Sequence, residues 1–259
     1  MYETFAITEI RDENYRAKTF VFDKPLSDAQ PGQYVMTWLP GVGEKPFSIA
    51  GHDPLMLMVV AVGPFSEAMH HLNVGNRVWV RGPLGHGYKL QGQHLLLVGG
   101  GYGVAPLLFL AREAIAAGHT VEVCIGARTM AEVLLAEAFM PTDFSSVNPL
   151  KSAKSVDKLS ITTEDGLLGT RGLVTEAVEV AIQARRPDCV YACGPTPMLL
   201  ALARQCREHN LPHQLSWETR IRCGMGICGD CELDAATRQA ANIPAGWLVC
   251  KDGPVLFSE

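Results

Sequence analysis

What the chain lacks narrows its possibilities first. It has no long basic run: 22 Lys and Arg stand against 27 Asp and Glu, for a net charge of −5, which leaves no electrostatic footprint for a polynucleotide and argues against a nucleic-acid partner. Its longest apolar stretches, such as Leu95–Val98 and Val104–Ala111, fall far short of the ~20 residues that cross a bilayer, so no membrane partner is expected. Met1-Tyr2-Glu3-Thr4 has neither the basic start nor the apolar segment of a secretory signal, and the expected location is cytoplasmic. Internal repeats and His-x-x-His, Ser-His-Asp or paired-carboxylate patterns are missing, so the eight histidines read as surface or satisfied core residues. Eight cysteines in 259 residues are too dilute for a small secreted disulfide scaffold, yet three crowd into nine residues, which suggests metal ligands.

What is present is an ordinary globular composition, 47% hydrophobic and 19% charged, long enough for more than one core. Residues 1–91 show short alternating runs broken by turn formers: Ala6–Ile10, Thr19–Phe22, Tyr34–Leu39, Leu55–Val62 and Arg77–Val80. That pattern predicts an all-β domain, a small antiparallel barrel. From residue 92 to 215 continuous apolar runs at Leu95–Val98, Thr120–Ile125 and Cys189–Ala192 alternate with helical stripes. The stripes are Leu107/Leu110/Ala111/Ala114/Ile115, Val174/Ala177/Val178/Ala181/Ile182 and Leu199/Leu202/Ala203/Cys206. Strands alternating with helices predict an α/β domain with a parallel sheet. Residues 140–158, rich in Ser, Lys, Pro and Asn without periodicity, are expected to form an exposed loop. Residues 216–259 make a third, small module dominated by cysteine and glycine.

Cys223, Cys228, Cys231 and Cys250 follow C-x4-C-x2-C-x18-C, the plant-type ferredoxin spacing for a [2Fe–2S] cluster. A loop that supplies three thiolates must curl around the inorganic core, and Gly224, Gly226 and Gly229 permit the positive φ angles and close backbone approach this needs. A structural zinc site usually presents two Cys-x2-Cys knuckles, and here a four-residue gap comes first and Cys250 stands alone. Of the other cysteines, Cys124 and Cys189 lie in apolar strands and Cys206 on an apolar helix face.

Gly99-Gly100-Gly101-Tyr102-Gly103-Val104-Ala105-Pro106 follows a buried strand and opens a helix, the context in which glycines let a pyrophosphate approach amides at a helix N-terminus. The next strand leads to Gly126-Ala127-Arg128 and not to an acidic ribose ligand. Arg128 can bond a ribose, stack on adenine or meet a 2′-phosphate, so NAD and NADP both stay open. Cys193-Gly194-Pro195-Thr196-Pro197-Met198 ends another strand at the same carboxyl edge of the sheet.

Together these motifs resemble the ferredoxin–NADP reductase superfamily over nearly the whole chain, with its Gly-Gly-Gly-x-Gly-x-x-Pro and Cys-Gly-Pro-x-Pro-Met signatures. Within it, Ser216 to Cys231 and the terminal Val249-Cys250-Lys251-Asp252-Gly253-Pro254-Val255-Leu256-Phe257 are similar to the electron-transfer subunit family of type B dihydroorotate dehydrogenase. The resemblance implies FAD on the barrel. The family's Arg-Pro-x-Ser motif maps to Lys45, Pro46, Phe47 and Ser48, with a lysine point charge in place of a planar guanidinium. A strand followed by Gly-Thr maps to Met58, Val59 and Val60 and then Phe65 and Ser66, and Gly82-Pro83-Leu84-Gly85 would form a loop near the flavin.

The resemblance further implies NAD at Gly99, Gly100, Gly101, Gly103, Arg128, Cys193, Gly194 and Pro195, with Cys193 near the nicotinamide, shaping its approach and serving as no nucleophile. It implies a separate FMN-containing dihydroorotate dehydrogenase catalytic subunit as partner, in a heterotetramer of two of each. Electrons from dihydroorotate would pass by way of the [2Fe–2S] cluster and FAD to NAD in pyrimidine biosynthesis. The cluster loop would then lie near the partner, with Met225 and Ile227 forming an apolar docking patch or being buried within the loop. The same architecture also suits an NAD(P)H-dependent ferredoxin oxidoreductase, hydrogenase or sulfite reductase subunit. A zinc-bearing, non-redox nucleotide-binding module is an alternative of a different class.

Overall fold

The computed structural model describes residues 1–140 and 156–258, so most of the loop expected at 140–158 lies outside the described residues. The chain forms two compact units: residues 1–88 with 216–256, and residues 89–215 with 257–259. The cysteine-bearing piece therefore shares a unit with the N-terminal barrel.

Six antiparallel strands close that barrel: β1 (Glu3–Asn14), β2 (Ala17–Phe22), β3 (Tyr34–Leu39), β4 (Gly43–His52), β5 (Leu55–Val60) and β6 (Arg77–Leu84), in the order β1-β2-β5-β4-β3-β6. Closure abolishes free sheet edges, and the interior is filled by Phe5, Phe20, Phe22, Val35, Ile49 and Leu57, each at most 1% exposed. Five of these strands match the alternating runs in the sequence. β4 does not, because Gly43, Lys45, Pro46 and Gly51 interrupt its pattern, and it is held instead by an unbroken register with β3 from Tyr34↔Ser48 to Leu39↔Gly43. A short helix, α1 (Pro64–His70), follows β5.

The second unit contains β7 (His94–Gly100), α2 (Val104–Ala116), β8 (Thr120–Ala127), α3 (Ala136–Phe139), β9 (Lys158–Thr163), β10 (Thr170–Arg171), α4 (Val174–Ala184), β11 (Cys189–Cys193), α5 (Thr196–Glu208) and β12 (His213–Ser216). Its sheet runs β10-β9-β8-β7-β11-β12 and ends on the last strand of the chain, β13 (Val255–Ser258). The pairings from β10 through β11 are parallel. β7 and β11 are buried at every residue, the mark of strands covered on both faces, which is why their sequences read as unbroken apolar runs. β12 gave no such signal: His213 and Gln214 are buried polar residues, and Gln214 earns its place by accepting from the Lys89 amide at 2.8 Å and donating to the Lys89 carbonyl at 2.6 Å.

The sheet leaves β7 in two directions, toward β8 on one side and β11 on the other. The carboxyl ends of β7 and β11 thus flank a topological switch point, the place where open α/β sheets bind ligands. In the first unit the remaining helix, α6 (Ala235–Ala241), is capped by Asp234, whose carboxylate accepts from the Thr237 amide at 2.9 Å.

Candidate cofactor sites

The two turns at the switch point are built around each other. Cys193 on β11 pairs with Gly99 on β7, so the chain leaves both strands side by side. A Cβ on Gly103 would stand 2.3 Å from the Cys193 carbonyl oxygen. One on Gly100 would stand 2.6 Å from Met198 Sδ, and one on Gly194 3.0 Å from Gly100 Cα. Side chains are thus excluded where the turns touch, leaving backbone amides and the N-terminus of α2 at the rim. This arrangement can take a phosphate. The Cys193 thiol is buried, 1% exposed. Arg128, at the end of β8, has a 72% exposed side chain and is ion-paired with Glu132 at 3.0 Å.

On the barrel, the structure brings the two flavin-motif segments together: the rings of Phe47 on β4 and Phe65 on α1 meet with centroids 6.0 Å apart. Lys45 is exposed, and Pro46, Phe47 and Ser48 are half-buried. A cation, a hydroxyl and an aromatic wall on adjoining elements fit an aromatic cofactor that carries a pyrophosphate. Not every mapped residue offers a side chain to it. Met58 and Val59 are buried in the protein, on opposite faces of β5. The Ser66 hydroxyl is committed locally, donating to the Gly63 carbonyl at 2.9 Å and accepting from the Val62 and Gly63 amides. Gly82, Pro83 and Leu84, expected in a loop, are instead the end of β6, where Leu84 pairs with Tyr34, and a Cβ on Gly85 would strike the Gly253 carbonyl oxygen at 2.5 Å, so that glycine serves internal packing.

The cysteine loop adopts the conformation its glycines foretold: Gly224, Gly226 and Gly229 have φ of +66°, +77° and +72°. These turns aim amides at sulfur. Met225 N–H points to Cys223 Sγ at 3.5 Å, Gly226 N–H to Cys250 Sγ at 3.2 Å and Cys250 N–H to Cys231 Sγ at 3.5 Å. The amide of Met225, with those of Cys228 and Ile227, holds the Cys223 thiol down at about 6, whereas burial, reinforced by Cys231, pushes Cys250 up to about 12. Among the described residues no three His, Cys, Asp or Glu side chains gather around one point as a single ion requires. The four thiols form one interacting set, in which Cys223 interacts with Cys228 and with Cys250, and Cys250 with Cys231. Four cysteine thiols in one loop region, three of them met by amide donors, are what two sulfide-bridged irons take. Cys228 is exposed and Cys231 and Cys250 are buried, so the set is open on one side only. Met225 and Ile227 stand out from this loop, 53% and 78% exposed.

Residues that the sequence did not single out hold this loop. Tyr34 on β3 donates its hydroxyl to the Cys250 carbonyl at 2.9 Å and lies 3.4 Å from that of Gly224. Arg81 on β6 donates to the Cys223 carbonyl at 2.7 Å. They stand more than a hundred residues from the cysteines in the chain, and no local motif marks them. Among the described residues no helix is long and apolar enough to cross a membrane.

Residues 218–259 match the iron–sulfur cluster binding domain of dihydroorotate dehydrogenase B, and residues 97–204 match the oxidoreductase NAD-binding domain. Over its full length the chain is 39% identical to the probable dihydroorotate dehydrogenase B (NAD(+)), electron transfer subunit, of Thermococcus kodakarensis, covering 97% of that protein. The corresponding Methanocaldococcus jannaschii protein is 36% identical over 98% of this chain and 88% of its own. Among solved structures, the NADH-dependent reduced ferredoxin-NADP oxidoreductase superposes with a TM-score of 0.78 at 27% identity, over 98% of this chain and 87% of that one. A Neisseria gonorrhoeae ferredoxin NADP+ reductase, TM-score 0.63 at 16% identity over 80% of this chain and 91% of its own, shares the fold. Full-length identity at this level, joined to both domain matches, shows that the chain belongs to the family of dihydroorotate dehydrogenase B electron transfer subunits.

Proposed function

We propose that this chain is the oxidoreductase subunit that links dihydroorotate oxidation, carried out at FMN in a separate catalytic subunit, to reduction of NAD in pyrimidine biosynthesis. The observation that carries this is the amide-supported four-cysteine loop, which shares a unit with a barrel bearing Lys45, Phe47 and Ser48. A [2Fe–2S] cluster supplies one-electron transfer, and FAD supplies the conversion to the two-electron hydride chemistry of a nicotinamide.

The chain's own residues do the holding. Cys223, Cys228, Cys231 and Cys250 are the iron ligands, and the Met225, Gly226 and Cys250 amides donate to their sulfurs. The Lys45 ammonium offsets the flavin pyrophosphate, and Ser48 offers a hydroxyl to the flavin. The amides of Gly99, Gly100, Gly101 and Gly103 cradle the nucleotide phosphates at the α2 N-terminus. Gly194 and Pro195 form the facing turn, and buried Cys193 shapes the approach of the nicotinamide. A heterotetramer of two subunits of each kind, and a cytoplasmic setting in which the thiols stay reduced, belong to the same proposal.

A second reading is favoured by one observation, the 0.78 TM-score to an NADH-dependent reduced ferredoxin-NADP oxidoreductase chain: the same scaffold would serve a ferredoxin-type donor. One experiment separates the two. The chain is purified anaerobically with its bound partner, and dihydroorotate-driven NAD reduction is measured with and without that partner, alongside a Cys231→Ser variant. An FMN-containing partner, visible flavin and iron absorbance, and loss of both iron and turnover in the variant are expected. A ferredoxin or hydrogenase partner would redirect the assignment. A colourless chain carrying zinc would end it.

A further inference from the structure

We infer that Tyr34 and Arg81 are positioning residues for the iron–sulfur centre, and that the Arg81–Glu44 ion pair beside it sets how readily that centre accepts an electron. The inference rests on the cluster reading above and deepens it. β3 and β6 are neighbours in the barrel, with Met36 in register with Arg81 and Tyr34 with Leu84, so their side chains reach the cysteine loop from adjoining strands. Tyr34 is 3% exposed, and its hydroxyl is spent on the Cys250 carbonyl. Arg81 has a 13% exposed side chain, donates from Nε and Nη2 to the two Glu44 carboxylate oxygens at 2.8 and 3.2 Å, and also gives Nη2 to the Cys223 carbonyl. The backbones of the first and last cysteine ligands are therefore each tied to the barrel by one buried or half-buried donor. The fit is close: a Cβ on Gly224 would lie 3.1 Å from Met36 Cγ and 3.3 Å from Arg81 Nη2.

The electrostatic consequence follows from charge. Reduction adds one negative charge to a cluster, so a fixed cation near it favours the reduced form and a fixed anion the oxidised form. Arg81 supplies the cation at the backbone of Cys223. Glu44, which also accepts from the Tyr2 hydroxyl at 2.6 Å, orients that cation and offsets part of its charge. Partial burial keeps the pair from being fully screened by salt.

The pair makes opposite predictions for its two members. In the holo-chain, reduced stepwise and followed by electron paramagnetic resonance, Arg81→Gln is expected to disfavour cluster reduction by several-fold up to about tenfold, the latter about 59 mV for one electron. Glu44→Gln is expected to favour reduction, and Arg81→Lys to stay near wild type. Tyr34→Phe is expected to lose iron several-fold faster to a chelator. A merely structural role would change retention without opposite shifts in potential. Unchanged potentials in both glutamine variants, or shifts of the same sign, overturn the inference. If Arg81→Gln cannot hold iron, Glu44→Gln alone decides, and an unshifted potential overturns it. A wild-type chain that shows no [2Fe–2S] signal on reduction overturns instead the cluster reading beneath.

Discussion

Replacing Gly103 by alanine tests whether the nucleotide site is made by the mutual fit of two turns. The added methyl would stand 2.3 Å from the Cys193 carbonyl oxygen and 2.7 Å from the Gly194 amide nitrogen, where ordinary contact begins at 3.4 Å, so the turns must part by about 1 Å. The obstacle is backbone at the end of a fully buried strand and cannot swing aside as a side-chain tip would. Overpacking of this kind costs ~1–3 kcal/mol. At about 2 kcal/mol the melting temperature of a chain this size drops by roughly 4–8 °C. Because the displaced atoms form the rim proposed to hold the nucleotide phosphates, NADH affinity is expected to fall about tenfold, about 1.4 kcal/mol. Gly101→Ala is the matched control. Its φ is +54° but no protein atom lies within 4 Å of the new methyl, so its cost to folding is limited to backbone strain of ~1 kcal/mol. NADH titration calorimetry and thermal melts of both variants provide the measurement. Wild-type melting and binding in Gly103→Ala, or a larger drop in melting temperature in Gly101→Ala, would refute the reasoning.

Two further outcomes are expected. Glu132, with a 15% exposed side chain, is ion-paired with the exposed Arg128 at 3.0 Å, so with Arg128 at the ribose its carboxylate would repel a 2′-phosphate and favour NAD over NADP. Glu132→Gln should raise the NADP/NAD ratio of kcat/KM about fivefold, the equivalent of ~1 kcal/mol for an exposed pair, and an unchanged ratio in dye-linked assays rejects the idea. Met225 and Ile227 are too exposed to be core residues of the cluster loop. Changing both to glutamate should weaken capture of the catalytic subunit at least tenfold with iron absorbance intact, and undiminished binding in an anaerobic pull-down removes the docking patch.

Most of the architecture was legible because it is written in local patterns. The unbroken apolar runs of β7, β8 and β11 and the stripes of α2, α4 and α5 answer to burial on a sheet, and the structure matches those assignments to within a few residues. Elements stabilised by pairing or by particular hydrogen bonds were not legible. β4 carries Pro46 and two glycines, β12 buries His213 and Gln214, and α1 spans only seven residues. For β4 and β12 the deciding partner lies elsewhere in the chain, and α1, capped locally by Ser66, is too short to show a stripe.

The candidate sites divide along the same line. Sequence alone determined the four cysteines, their spacing and the glycines that let their loop turn back on itself, because ligand chemistry and positive φ depend on residue identity at fixed local offsets. Sequence likewise determined the glycine turns that open α2 and precede α5. Only the tertiary structure decided that the Met225, Gly226 and Cys250 amides meet the cysteine sulfurs, that Gly103 is small because Cys193 lies against it, and that Ser66 spends its hydroxyl on its own helix cap. It alone brought Tyr34, Glu44 and Arg81 to the cysteine loop. Hydrogen bonds and charges act over a few ångströms, and barrel closure brings within that range residues far apart in the chain.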